Sequence, residues 1–304
     1  MSGEAMKLLQ KPILKALLRK RLLWKLMVVL GFCLFWFIPV YLGADAMEPL
    51  THFSRDRLQI IQRLAQADVV FLGETHNRPE DQRAQLEIIQ ALAQKGKVAI
   101  AMEMFQRPYQ AAIDAYLQGK LSETQLVEQT EYEQRWGFPW ENYAPILRFA
   151  QAQQIPVLAM NAPSEVTRKV AGGGLEALAP EDWQWIPPRS EIRTDNQNYR
   201  QLLRGVFEQH QTGGMGNSDR LERFFLAQVL WDETMAHHIV QFRQAHPDYQ
   251  VIAIAGQGHI IYGYGIPSRV ARRLGPSVRQ YSVLFNSSDR NLDAAETPIA
   301  DFFW

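Results

Sequence analysis

Cysteine is nearly absent from this chain: Cys33 stands alone among 304 residues. That excludes a disulfide framework, a C-x-x-C redox or zinc pair, and the paired cysteines that tether a cofactor covalently. Cys33 follows Phe32 inside an apolar run, whereas an acylated lipoprotein cysteine normally follows a small residue, so it reads as membrane filler. Also missing are H-E-x-x-H, G-x-S-x-G, a P-loop and a dinucleotide fingerprint. Common zinc proteases, α/β-hydrolases and nucleotide enzymes are thereby disfavoured. There is no fixed-period repeat or low-complexity tract. Net charge is lacking too, at a formal +0.

The zero conceals an asymmetry. Residues 1–46 hold seven bases against Glu4 and Asp45, which leaves the remainder with 25 basic and 30 acidic residues. A mildly acidic body gives no electrostatic reason for nucleic-acid binding. Nineteen uncharged residues, Leu26 to Ala44, follow the basic segment. That length reaches a bilayer span and exceeds the usual core of a signal peptide. The preceding bases keep the N-terminus cytoplasmic by the positive-inside rule. The expectation is a membrane-anchored protein with an extracytoplasmic, periplasmic body, or a secreted one if Ala44-Asp45-Ala46 is cleaved after Ala46.

Three divisions result: a cytoplasmic segment with its anchor or signal peptide (1–46), an α/β domain (47–286) and a polar tail (287–304). With 47% hydrophobic residues, the domain has material for a large core. Strands are expected at Asp68–Gly73, Lys97–Met104, Ile155–Asn161, Gln250–Gly256 and Val278–Phe285. Helices are expected at Pro79–Gln94, Arg107–Leu117, Ser122–Arg135, Tyr143–Gln153, Asp219–Gln244 and Pro267–Leu274. Strands alternating with helices predict a mostly parallel central sheet flanked by helices. The stretch 163–218, with Gly172-Gly173-Gly174, Trp183–Pro188 and Thr212–Asn217 as flexible or turn-rich parts, is too long for a simple crossover. It reads as a helical insertion over the C-terminal edge of the sheet. Phe302-Phe303-Trp304 should dock on the body.

Two strands end alike, in Gly73-Glu74-Thr75-His76 and Gly256-Gln257-Gly258-His259. Glycine permits a tight turn at the strand end, and the carboxyl edge of an open α/β sheet is where ligands bind. Other strand exits supply Glu103 and Asn161. A helical stripe of Leu221, Phe225, Gln228, Asp232, Met235 and Ile239 carries Asp232 inward, whereas His237 and His238 fall off it and read as solvated. Two imidazoles with carboxylates suit a divalent metal held by His76, Glu103 and His259. They equally suit general-base catalysis by the same residues, supported by Glu74, Asn161 and Asp232. Tyr262 and Tyr264, between glycines just after His259, read as a wall or as phenolate ligands. Trp136-Gly137-Phe138-Pro139-Trp140 reads as lid packing or the lining of a flat apolar ligand.

Taken in order, several blocks resemble the ChaN-like family of haem-binding uptake proteins, within the Tiki and erythromycin-esterase superfamily. They are Phe71-Leu72-Gly73-Glu74-Thr75-His76, Met102-Glu103-Met104-Phe105, the Tyr143–Ala150 and Ile155–Pro163 segments, Trp231-Asp232-Glu233-Thr234-Met235-Ala236, Ala255-Gly256-Gln257-Gly258-His259 and Gly263-Tyr264-Gly265-Ile266-Pro267. The resemblance implies an exported, membrane-attached protein of haem or iron acquisition. Its cofactor would be haem, with His76, His259, Tyr262 and Tyr264 as candidate ligands and a homodimer as one arrangement. The wider superfamily implies instead a metal-dependent peptidase or esterase using His76, Glu103 and His259. The expected departure is the anchor, since family members are often lipoproteins and no lipobox is present.

Overall fold

The computed structural model describes residues 53–209, 218–285 and 298–304, all within one compact unit, Glu48–Trp304. The expected membrane segment, Thr212–Asn217 and most of the tail lie outside the described residues. Among the described residues no helix is long and apolar enough to cross a membrane.

Helix α1 (Phe53–Leu64) precedes strand β1 (Val69–Glu74), and helix α2 (Pro79–Ala93) leads to strand β2 (Val98–Gln106). Four short helices follow: α3 (Gln110–Leu117), α4 (Glu123–Gln129), α5 (Tyr132–Arg135) and α6 (Ala144–Ala152). After strand β3 (Val157–Asn161) come α7 (Ser164–Gly173), α8 (Gln197–Gln209) and the long α9 (Ser218–Ala245). The chain closes with β4 (Gln250–Gly256), α10 (Ile266–Leu274), β5 (Gln280–Leu284) and β6 (Phe302–Phe303). The strand order is β3-β2-β4-β1-β5-β6, and every neighbouring pair is parallel. The mostly parallel sheet is thus wholly parallel. The tail docks as expected, through an added edge strand with Trp304 buried.

Alternation along the strands decides which layer each side chain meets. Val70, Leu72, Ile100, Met102, Ile252 and Ile254 face a core built with Leu64, Ile88, Ile146 and Leu147. Val69, Phe71, Ala101, Val251, Ala253 and Ala255 face the opposite core with Met235, Ile239, Ile266 and Val270. Both faces are covered, so the strands are apolar throughout. The insertion packs on α9 through Val166, Val170, Ile186 and Leu230.

Some boundaries differ from expectation. The helix expected over Ser122–Arg135 is two helices, because Glu131 adopts a left-handed conformation (φ 49°) between them. Ser122 caps the first with a capping box, its hydroxyl accepting from the Gln125 amide. Arg107–Tyr109 forms a tight 3-10 turn ahead of α3. Gly172 and Gly173 are helical, and Gly174 (φ 73°) stops α7. Trp183–Pro188 is ordered, with Ile186 buried and the Trp185 carbonyl accepting from Arg107 Nη1.

Candidate functional site

Because β2, β4 and β1 are adjacent and parallel, Glu103, Gly256 and Glu74 arrive together at one edge. The two glycines act differently from the turn formers the sequence suggested: both lie within their strands. A methyl group at Gly73 would come within 2.5 Å of Leu284, and one at Gly256 within 2.9 Å of His76 Nε2. The second glycine therefore makes room for the imidazole.

On one face of the sheet, Glu74 Oε1 lies 2.7 Å from His76 Nδ1. The same oxygen accepts a very short hydrogen bond from the Tyr143 hydroxyl, and Oε2 accepts from Gln85 Nε2 at 2.8 Å. Trp136 and Phe138, both half-buried, pack on the His76 ring at 4.7 and 4.9 Å between centroids. On the other face, Asp232 Oδ1 lies 2.7 Å from His259 Nδ1. Its Oδ2 accepts from the Tyr199 hydroxyl at 2.5 Å and sits 3.9 Å from Arg269.

Glu103 joins the halves. Its Oε2 accepts from the Gly256 amide at 2.7 Å, and its Oε1 lies 3.5 Å from His259 Nε2. Asn161 is held beside it, donating to the Glu103 carbonyl at 2.9 Å. The histidines, the carboxylates and their polar partners are all buried: His76 is 6% exposed, His259 2% and Glu103 3%.

Burial opposes the charge on His259, but Glu103 and Asp232 outweigh it and push its pKa up to about 10. Burial would likewise raise Glu103, yet His259 above all, then His76 and the Gly256 amide, hold it at about 2. At neutral pH these two are an ion pair. His76 is also raised: burial lowers it, and Glu74 and Glu103 more than compensate. Burial and the neighbouring carboxylates push the Tyr143 and Tyr199 phenols well up, so both stay protonated donors.

The expected site residues thus divide. His76, Glu103, His259, Glu74, Asp232 and Asn161 converge. As a metal set, His76, Glu103 and His259 do not: among the described residues no group of three or more His, Cys, Asp or Glu is arranged to hold a metal. The reason is local, since each Nδ1 is engaged by its own carboxylate and His259 Nε2 is turned to Glu103. Tyr262 and Tyr264 stand apart, half-buried and stacked on each other at 5.5 Å. Tyr262 holds a left-handed backbone (φ 56°), a conformation costly for a tyrosine. The Tyr264 carbonyl accepts from Arg269 Nη1 at 2.6 Å, which ties the loop to the His259 half.

His237 and His238 are not solvated. His238 is half-buried, its Nδ1 2.9 Å from the Ala159 carbonyl, and burial drops its pKa to about 4. His237 lies 3.5 Å from Glu191. Sequence reasoning missed Tyr143, Gln85, Tyr199 and Arg269 as parts of the site. Only Tyr143 carried a signal, as the first residue of a recognised block.

The chain is 25% identical over 288 residues to Protein RETICULATA-RELATED 5, chloroplastic, of Arabidopsis thaliana, covering 87% of this chain. It spans only 37% of that relative's length. The structure superposes on ChaN of Campylobacter jejuni, solved with cofacially bound haem, with a TM-score of 0.62 at 20% identity, over 80% of this chain and 89% of the other. An erythromycin esterase in its open conformation is more distant, with a TM-score of 0.45 at 14% identity over 76% and 72% of the two chains. The model of the haem-binding uptake family of the Tiki superfamily, ChaN, matches residues 60–270, and the chain belongs to that family.

Proposed function

We propose that this protein binds haem at the mouth of the carboxyl edge, with Tyr262 or Tyr264 meeting the iron, and that it serves haem or iron uptake. The family membership supports haem as the ligand. The observation that carries the choice of residues is the stacked, half-exposed Tyr262–Tyr264 pair, whose phenols make no hydrogen bond among the described residues. A porphyrin is a wide, flat group, and an axial ligand must reach its face. His76 and His259 are buried and already committed through Nδ1, so they fit that role poorly. A phenolate would hold the iron as an anionic oxygen donor. Tyr262 and Tyr264 would present that donor, and the strained loop, fastened by Arg269, would fix its direction.

Export, membrane attachment through Leu26–Ala44 and pairing of two copies around haem belong to the same proposal, supported by the charge pattern and by the family. The test is a haemin titration of the full chain followed by visible absorption. A saturable, shifted Soret band is expected, weakened about tenfold or more in Tyr262→Phe/Tyr264→Phe and kept in His76→Gln. A featureless, non-saturating response would sink the haem reading.

A second reading is favoured by the buried imidazoles themselves. Two carboxylate-oriented histidines facing one glutamate suit hydrolysis without a metal: His76 as base on water, and protonated His259 as stabiliser of developing negative charge. The rate should then rise with pH as His76 loses its proton, and His76→Gln should abolish it. A screen of ester and peptide substrates against that variant separates the readings.

A further inference from the structure

Away from the strand exits, the outer surface of α9 and α10 carries a cavity of about 300 Å³. Its lining includes Ser190, Arg193, His237, Gln244, Arg272 and Arg273, with Glu191 the sole carboxylate. Directly beneath lies Glu233, fully buried. Three guanidiniums converge on that one carboxylate: Arg273 Nη2 at 2.6 Å, Arg272 Nη2 at 2.7 Å and Arg269 Nε at 3.4 Å. Glu233 also accepts from the Arg193 amide at 3.0 Å, so its oxygens are well occupied.

The charges do not balance. Asp232 lies between His259 and Arg269, and His259 is also paired with Glu103. Glu191 meets Arg273 at 3.2 Å and His237 at 3.5 Å. With Glu103 on His259, the carboxylates Asp232, Glu233 and Glu191 face Arg269, Arg272 and Arg273 one for one, which leaves the exposed Arg193, whose guanidinium has no partner among the described residues, as the unmatched charge. The excess sits on a body that is otherwise acidic. Arginine forks with serine, imidazole and amide donors are the groups that grip tetrahedral or planar oxyanions.

We propose that this cavity is a binding site for a small ligand bearing a phosphate or carboxylate group, held by Arg193 and Ser190, beside an Arg272 guanidinium already forked onto Glu233. It is independent of the haem reading. The test follows thermal unfolding of the full chain across titrations of inorganic phosphate and of malonate, with sodium chloride matching ionic strength at each point. Ligand binding to the native state alone raises the midpoint saturably, and chloride controls for general screening. A saturable rise with phosphate assigns a phosphate-bearing ligand, and one with malonate alone a carboxylate. Arg193→Glu removes a side chain that touches nothing else and should weaken the apparent affinity about tenfold or more. Lys120→Glu, exposed on another part of the surface, should not. The proposal is overturned if neither anion does more than chloride, or if Arg193→Glu responds like the parent protein.

Discussion

The two halves of the carboxyl-edge site use one device in two environments. Each sets an imidazole Nδ1 on a carboxylate that also accepts from a buried tyrosine: His76–Glu74–Tyr143 on one face, His259–Asp232–Tyr199 on the other. The first is walled by Trp136 and Phe138 and steadied by the neutral Gln85. The second is set among charges, with Glu103 and Arg269 beside it. A histidine–carboxylate pair alone therefore does not decide a protonation state. A second carboxylate does: Glu103, 3.5 Å from His259 Nε2, joins Asp232 in making His259 a lasting cation.

Asp232→Ala should break the comparison most severely. It strips one of two carboxylates from a buried cationic histidine, leaves Arg269 with Glu233 alone and orphans the Tyr199 hydroxyl, a loss of about 3–5 kcal/mol by analogy with broken buried ion pairs. Chemical denaturation would measure it, and Glu74→Ala should cost less because no second cation is stranded there. Equal losses would show that the two halves are energetically alike.

The pH dependence of stability sharpens the contrast. His259 is raised in the fold from 6.5 to about 10, so its contribution is complete below about pH 6.5 and is lost as pH rises toward 10. Glu103 is lowered from 4.5 to about 2, so its contribution is complete above about pH 4.5 and is lost as pH falls toward 2. The melting temperature should therefore fall from pH 7 to pH 10, and His259→Gln should flatten most of that slope. If His76→Gln flattens it as much, the assignment of the lasting cation is wrong.

The smallest effect is expected from the tyrosines. Tyr143→Phe and Tyr199→Phe each delete one hydrogen bond to a carboxylate that keeps its other partners, at about 1.5–3 kcal/mol. Removing either also frees its carboxylate to pull harder on its histidine. Histidine titration by NMR should show each imidazole's pKa rising in the variant of its own half and unchanged in the other.

Much of this was legible in the chain. The apolar runs before Gly73 and Gly256 read as buried parallel strands because both faces of the sheet are covered. Given parallel strands, the residues at their exits had to share an edge. His76, Glu103 and His259 could be named together for that reason, and Asp232 because it interrupts an apolar helical stripe. Less legible were residues whose contribution depends on a partner far away in sequence. Tyr143 reaches Glu74 across 69 positions and Tyr199 reaches Asp232 across 33, and neither lies in a pattern that periodicity singles out. His238 illustrates the converse, since a position off the inward stripe of α9 still meets the Ala159 carbonyl of β3.

The sequence by itself determined the strands, their polar exits and the meeting of two histidines at one edge, because burial and chain direction are written in local patterning. Tertiary structure decided what each histidine is. The order β2-β4-β1 brings Glu103 to Gly256 and within 3.5 Å of His259, and the packing of α10 on α9 sets Arg269 against Asp232 and Glu233. Charge states follow from such through-space distances in a desolvated interior, and linear spacing carries no record of them.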